Sequence, residues 1–117
     1  MEPVKHRFTN PEQKVRDRIR AMLERKGWYV EIMHGNLFQS GIPDLFATHK
    51  RYGYRWVEVK LPKFKGSRYT AAQLKKFPIL CANGSGVWVL TEDTEEEYNK
   101  LFEKYNWESY AKNRDVH

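Results

Sequence analysis

Two short segments rich in β-branched and aromatic residues, 45–48 and 55–60, most restrict how this chain can fold. The first is Leu-Phe-Ala-Thr and the second is Arg-Trp-Val-Glu-Val-Lys. Such segments are typical of strands, and the turn 50–54 is short enough to join them as a hairpin. We therefore expect an antiparallel pair of strands in the middle of the chain.

A capped amphipathic helix is predicted before this hairpin. Asn10 can cap it, and Pro11 occupies the first helical position, where the missing N–H costs nothing. Apolar residues follow at helical spacing until Gly27, and a strand is predicted over 28–33. The polar side of the helix is assigned to Arg16, Asp17, Arg20, Glu24 and Arg25.

Two more helices and a fourth strand are predicted after the hairpin. Thr70 and Gln73 have the pattern of a capping box, and Pro78 is expected to bend or shorten the helix that they begin. A strand over 87–90 and a last helix over 94–110 complete the order α-β-β-β-α-β-α. A meander of three strands, a crossover helix and a fourth strand give an α/β fold, a mixed sheet flanked by helices.

Length and composition indicate one globular domain. The 117 residues, 40% of them hydrophobic, fit a single domain over 1–117, with a core of about 10–91. We expect no membrane span, because no apolar run approaches about 20 residues, and the N-terminus lacks the apolar stretch of a signal peptide. Cys81 is the sole cysteine, which excludes an intrachain disulfide and a cysteine-based zinc site. A cytoplasmic or other reducing intracellular compartment fits best.

Positive charge is concentrated in the first three-quarters of the chain. The net charge is +6, but residues 1–91 carry 17 basic and 7 acidic side chains. No acidic residue occurs over 59–91, where six basic residues fall. Nucleic acid is the natural partner of such a surface, although charge alone is equally consistent with a basic surface that has no specific partner.

Two acids and a lysine are predicted to meet at one end of the hairpin. Glu58 and Lys60 lie two residues apart in a strand, so their side chains share a face, about 7 Å apart, opposite Val57 and Val59. Asp44 stands directly before the neighbouring strand. If the hairpin pairs as proposed, the carboxylate of Asp44 lies beside that of Glu58.

These groups suit metal-dependent hydrolysis of phosphodiesters. Carboxylates without a histidine cluster favour Mg²⁺ or Mn²⁺ over zinc. Such an ion activates a bound water and stabilises charge on the phosphate oxygens, and a lysine can position or deprotonate the water or neutralise charge. The alternative is an ion pair between Glu58 and Lys60 on a solvated sheet surface.

Glu12 and Gln73 are further candidates with structural alternatives. Glu12 lies on the same stripe of the first helix as Val15 and Ile19, where a buried carboxylate needs a partner. It is equally an ordinary first-turn glutamate favoured by the helix dipole. Gln73 could act in the site, in the capping box, or in both. His34 is interpreted as a loop residue rather than a ligand.

The motifs Gly-Ile-Pro-Asp at 41–44 and Glu-Val-Lys at 58–60 resemble those of the PD-(D/E)XK nuclease superfamily, and more narrowly the VRR-NUC family. The resemblance covers roughly 10–91 and implies a restriction-endonuclease-like core. It implies Asp44, Glu58 and the backbone carbonyl of Val59 as metal ligands. It also implies Lys60 as the catalytic lysine, Glu12 as the glutamate of the N-terminal helix, and Gln73 as the glutamine of the following helix. Short stand-alone members resemble Holliday-junction resolvases and act as homodimers.

The sequence therefore predicts an Mg²⁺- or Mn²⁺-dependent DNA endonuclease, with a preference for branched DNA as one option and no small-molecule cofactor. Contacts to nucleic acid are assigned to basic residues after the third strand and on the next helix, Lys63, Lys65, Arg68, Lys75 and Lys76. A solvated loop is the alternative for the first three. Two other functions stay open: a non-catalytic nucleic-acid-binding module with this shape, and a nuclease that acts on RNA.

Overall fold

A computed structural model describes residues 10–34, 40–64 and 67–110. In these ranges the chain forms helix α1 (Pro11–Arg25), strands β1 (Tyr29–Ile32), β2 (Leu45–His49) and β3 (Gly53–Val59), helix α2 (Ala71–Ala82), strand β4 (Val87–Leu90) and helix α3 (Glu95–Asn99). Short 3-10 turns lie at Pro62–Phe64 and Lys100–Phe102. The predicted order of elements is confirmed.

The four strands form one mixed sheet in the order β1-β2-β3-β4. Strands β1, β2 and β3 are antiparallel neighbours, and β4 lies parallel to β3 after the crossover through α2. The predicted fold class is therefore confirmed. Leu45 at the start of β2 pairs with Val57 near the end of β3, so residues just before β2 meet residues at the end of β3.

Each face of the sheet carries its own hydrophobic core. Val57 and Val59 pack with the apolar side of α1, including Ile19. The opposite face packs on Phe77 of α2, with Trp56 at the edge of that cluster. Full burial of each such side chain contributes about 1.5–3 kcal/mol, which fixes the strand register. Alternate residues of β3 therefore face opposite cores, and Glu58 is turned away from Val57 and Val59.

Helix α2 is not shortened by its proline. Thr70 and Gln73 form the predicted capping box, and the helix runs four residues beyond Pro78 to Ala82. Proline removes the hydrogen bond to the carbonyl of Leu74, four residues earlier. Both residues lie on the exposed side of α2, so water can reach that carbonyl.

The prediction of one continuous helix over 94–110 is wrong. Helix α3 begins after Thr94, which caps the backbone N–H of Glu97, but ends at Asn99 and gives way to a 3-10 turn. Tertiary donors take carbonyls that a longer helix would need: the side chain of Arg55 donates to Leu101 and that of Trp88 to Glu103. Residues 107–110 are helical again.

The outer edge of β4 is occupied by an asparagine side chain. The side-chain oxygen of Asn106 accepts from Val89 N at 2.7 Å, and its amide nitrogen donates to Val89 O at 3.2 Å. Both main-chain polar groups of Val89 are thus paired on this side. Within the part of the chain described, no helix is both long and apolar enough to cross a membrane.

Candidate active site

The structure brings Asp44 and Glu58 together through crossed backbone contacts. The backbone N–H of Asp44 donates to Glu58 Oε1 at 3.2 Å, and the backbone N–H of Val59 donates to Asp44 Oδ2 at 2.9 Å. Each carboxylate is held by the main chain of the other strand. The acids are therefore fixed by the hairpin itself, at the end where β2 begins and β3 ends.

Gly41 determines how the turn before Asp44 sits on α2. Its φ is +84°, and a Cβ at this position would lie 2.4 Å from the carbonyl oxygen of Ala72. Only glycine combines this backbone conformation with such a close approach. Pro43 is fully buried between this turn and β2, so the turn reaches Asp44 along a fixed path.

Lys60 lies beneath the acids rather than on the surface. Its side chain is 3% exposed, and its Nζ is 3.3 Å from Glu58 Oε2. The same nitrogen donates to the carbonyl of Arg68 at 2.7 Å and to Gln73 Oε1 at 3.2 Å. An ammonium has three donors, so all three are engaged. The ring of Tyr69, 5.2 Å from Nζ, covers the remaining side.

Gln73 forms the predicted capping box and also contacts the side chains of Glu58 and Lys60. Its Oε1 accepts from the backbone N–H of Thr70 at 3.0 Å, which completes the capping box. Its Nε2 donates to Glu58 Oε2 at 2.7 Å. One amide therefore joins the start of α2 to both Glu58 and Lys60.

Burial disfavours the charged form of both acids. Burial, and then the charge of Asp44, raise the pKa of Glu58 to about 8 despite Lys60 and Gln73. Burial also raises the pKa of Asp44, which the Val59 hydrogen bond lowers and the charge of Glu12 raises further. A divalent cation held by Asp44 and Glu58 would favour their charged forms and offset the repulsion between them.

The donor set fits a hard divalent ion that retains water ligands. Over residues 10–34, 40–64 and 67–110, no three His, Cys, Asp or Glu side chains are grouped to hold a metal. Asp44 and Glu58 would therefore supply two carboxylates, with backbone oxygen and water as further ligands. Mg²⁺ typically binds proteins through one or two carboxylates and several waters.

Glu12 lies on the wall of a cleft that opens beside Asp44. The cleft measures about 310 Å³ and is lined by Asn10, Glu12, Gln13, Arg16, His34 and Asp44. The hydroxyl of Ser67 donates to Glu12 Oε2, so Glu12 also holds the segment that follows β3. Glu12 is half-buried and acts on Asp44 through its charge rather than through a shared hydrogen bond.

The predicted nucleic-acid contacts lie around this centre with different exposure. Lys63, Arg68 and Lys75 are exposed, Lys76 is half-buried, and Lys65 lies outside the described residues. Ser67 and Tyr69 were not predicted as site residues, and no sequence pattern marked either one. Both are buried, at 7% and 6% exposure; the hydroxyl of Ser67 donates to Glu12, and the ring of Tyr69 lies over the ammonium of Lys60.

Comparison with known proteins gives a structural likeness only. No protein-family model and no curated protein matches the sequence. A solved structure described as a VRR_NUC domain superposes with a TM-score of 0.64 at 21% identity, over 83% of this chain and 100% of that one. This chain has the fold of a VRR-NUC domain.

A Holliday junction resolvase, Hjc of the archaeal hyperthermophile Archaeoglobus fulgidus, is also similar. Its TM-score is 0.51 at 18% identity, over 68% of this chain and 67% of that one. The resemblance found in the sequence is thus confirmed at the level of the fold. Because both identities are low, the two similarities establish the fold of this chain but not its activity.

Proposed function

We propose that this chain is a divalent-metal-dependent nuclease that hydrolyses phosphodiester bonds in DNA. The observation that carries this proposal is the contact of Asp44 with Glu58, whose buried carboxylate lies 3.3 Å from the ammonium of Lys60. Raised pKa values of both acids indicate a site built for a further cation. An ordinary surface ion pair would not be buried in this way.

The metal would be Mg²⁺ or Mn²⁺, held by Asp44, Glu58 and the backbone carbonyl of Val59, with Glu12 as a further acidic group at the cleft. When bound, such an ion activates water and stabilises charge on the phosphate. Glu12 is the least direct of these ligands, because its carboxylate already accepts from Ser67.

Lys60 and Gln73 contact the buried side of Glu58 and support the reaction by charge and by orientation. The ammonium of Lys60 compensates negative charge close to Glu58, in a site where burial strengthens the interaction. Gln73 fixes the orientation of the Glu58 carboxylate through its amide and is itself fixed by the cap at Thr70. This arrangement supports a catalytic role for Lys60 and a positioning role for Gln73.

Duplex or branched DNA is the proposed substrate. The structural likeness to a Holliday junction resolvase and the exposed basic side chains of Lys63, Arg68 and Lys75 support it. Lys76 is proposed to add to this surface, and Lys65 stays a DNA contact predicted from the sequence alone. A homodimer would present two such centres to one junction, and a reducing intracellular compartment suits a chain with a single cysteine.

The decisive experiment measures cleavage of duplex, flap, four-way-junction and single-stranded substrates, with Mg²⁺ and Mn²⁺, for the wild type, Asp44→Asn and Lys60→Ala. Glu24→Gln removes the same charge from an exposed site, where the side chain is 48% exposed, and serves as the control. We expect both site variants to lose about 100-fold or more in rate while circular dichroism and DNA binding are retained. Salt-dependent DNA binding without cleavage in any metal would contradict the proposal and favour a binding module. Cleavage of RNA but not of DNA would show that the proposed substrate is wrong while the nuclease activity stands.

A further inference from the structure

The cleft beside Asp44 has one permanently charged cation on its wall. Of the six described residues that line it, Glu12 and Asp44 are acidic, and Arg16 carries a permanent positive charge. A DNA strand that enters this cleft brings phosphates towards two carboxylates. A cation is needed there to offset their repulsion.

Arg16 is placed for this task by its position on α1. It follows Glu12 by four residues, so both side chains lie on one side of the helix. The side chain of Arg16 is only 22% exposed, although the sequence assigned it to the polar side. Arg16 and Asp44 line the same cleft, so a strand that enters it passes both the guanidinium and the carboxylate.

The guanidinium of Arg16 retains unused donors. Its Nε and Nη2 donate to Asp17 Oδ1 at 3.4 Å and 3.2 Å. Arginine has five N–H groups, and Nη1 makes no hydrogen bond within the described ranges of the chain. Asp17, whose side chain is 59% exposed, therefore orients the guanidinium through Nε and Nη2 and does not occupy Nη1.

Lys60 cannot fill this role in the arrangement observed. Its ammonium is 3% exposed, and its three donors are engaged by Arg68, Gln73 and Glu58. It acts from beneath the acids, whereas the cleft opens on the side of α1. The site thus has a buried cation under the carboxylates and a second cation at its entrance.

We infer that Arg16 binds a backbone phosphate of the DNA strand, next to the phosphate that is cut, and so sets where the strand lies over Asp44. The planar fork of a guanidinium matches two oxygens of a phosphate. This inference rests on the proposed nuclease function for the identity of the ligand. It adds a DNA contact on α1 to those proposed for the basic residues that follow β3.

The first test measures DNA binding without catalysis, in EDTA, as a function of salt. Arg16→Gln is compared with Arg18→Gln, which removes the same charge from the same helix where the side chain is 47% exposed and lies near Glu92 and Asp93. We expect Arg16→Gln to bind about 5- to 10-fold more weakly and to reduce the salt slope by about one. Arg18→Gln should change neither value, and Arg16→Lys should recover part of the affinity. Equal losses in the two glutamine variants would overturn the inference.

The second test identifies the phosphate by removing its charge. Single methylphosphonate linkages are placed in turn on either side of the cleavage position, and single-turnover rates are measured at saturating DNA. If Arg16 contacts one phosphate, its neutralisation slows the wild type about 10-fold but leaves Arg16→Gln unchanged. If the methylphosphonate and Arg16→Gln instead reduced the rate independently at every linkage, so that the two losses multiplied, a contact between Arg16 and one phosphate would be refuted. Absence of cleavage by the wild type would instead refute the nuclease function, and the binding comparison would still decide the role of Arg16.

Discussion

Replacing Gly41 by alanine tests whether the turn before Asp44 is seated on α2 as the structure shows. The new Cβ would lie 2.4 Å from the carbonyl oxygen of Ala72, 2.8 Å from its carbonyl carbon and 3.0 Å from Cβ of Lys76. The first two contacts are with backbone, which cannot move aside as a flexible side chain can. The turn and the first turn of α2 must therefore separate.

Gly53→Ala provides a matched control for the expected loss in the free energy of unfolding. Gly53 has nearly the same φ, +81° against +84°, but a Cβ there meets nothing within 4 Å. A left-handed backbone costs a non-glycine residue about 1–2 kcal/mol, and this cost is common to both variants. Overpacking adds about 1–3 kcal/mol at Gly41 alone. We expect a loss of about 2–5 kcal/mol for Gly41→Ala and about 1–2 kcal/mol for Gly53→Ala.

Urea unfolding of the two variants and the wild type measures this difference directly. With a slope of about 2 kcal/mol per M, the midpoint of Gly41→Ala should lie about 0.5–1.5 M below that of Gly53→Ala. Cleavage, where it is measured, should fall only in Gly41→Ala, because Asp44 moves with the turn. Equal free energies of unfolding for the two variants would refute the close approach of Gly41 to α2.

Two further predictions concern the acids and the amide that holds one of them. In metal-free protein, folded Glu58 keeps a proton that the unfolded chain releases, so stability should fall as pH rises from about 4.5 to about 8. Urea midpoints in EDTA between pH 5 and 9 should show a flatter profile for Glu58→Gln, and equal slopes would contradict the burial of this acid. Gln73→Glu should keep the backbone N–H of Thr70 protected from hydrogen exchange, because glutamate also completes a capping box, whereas Gln73→Ala should not. Cleavage should fall in both, since each loses the amide donor to Glu58; wild-type rates in Gln73→Glu would contradict a role beyond the cap.

The meeting of Asp44 and Glu58 was predictable because it follows from local rules. Alternation along a strand places Glu58 opposite Val57 and Val59, and a short turn fixes which residues of the two strands are neighbours. The capping box of α2 was predictable for the same reason, since Thr70 and Gln73 are three residues apart. Both contacts are set by residues that are close in sequence or joined by a short turn, so they depend little on the rest of the fold.

The surroundings of Lys60 and Arg16 were not predictable in this way. The main partner of Lys60 is the backbone carbonyl of Arg68, and a carbonyl is present at every position, so no pattern in the sequence distinguishes it. Arg16 is about 100° around α1 from buried Val15, at the border between the two sides of the helix. Asp44 and His34, which line the same cleft, arrive from other segments of the chain.

The end of the chain shows how tertiary contacts override a local signal. Thr94 and Glu97 have the same pattern as Thr70 and Gln73, and Thr94 does cap the helix. The side chain of Glu97, however, accepts from the backbone N–H and the hydroxyl of Thr91. Helix α3 consequently lacks the second half of the box, and the side chains of Arg55 and Trp88 bind the carbonyls of Leu101 and Glu103 beyond its end.

The pairing of Asn106 with Val89 has a consequence for how this sheet can associate. An outermost strand with open main-chain groups can recruit a strand from another molecule, which leads to aggregation. Here a single carboxamide occupies the point at which such an incoming strand would begin to hydrogen-bond. Another strand could pair with β4 only after the side chain of Asn106 had left Val89. One residue thus limits polymerisation at the edge of β4, where other sheets would need an additional strand.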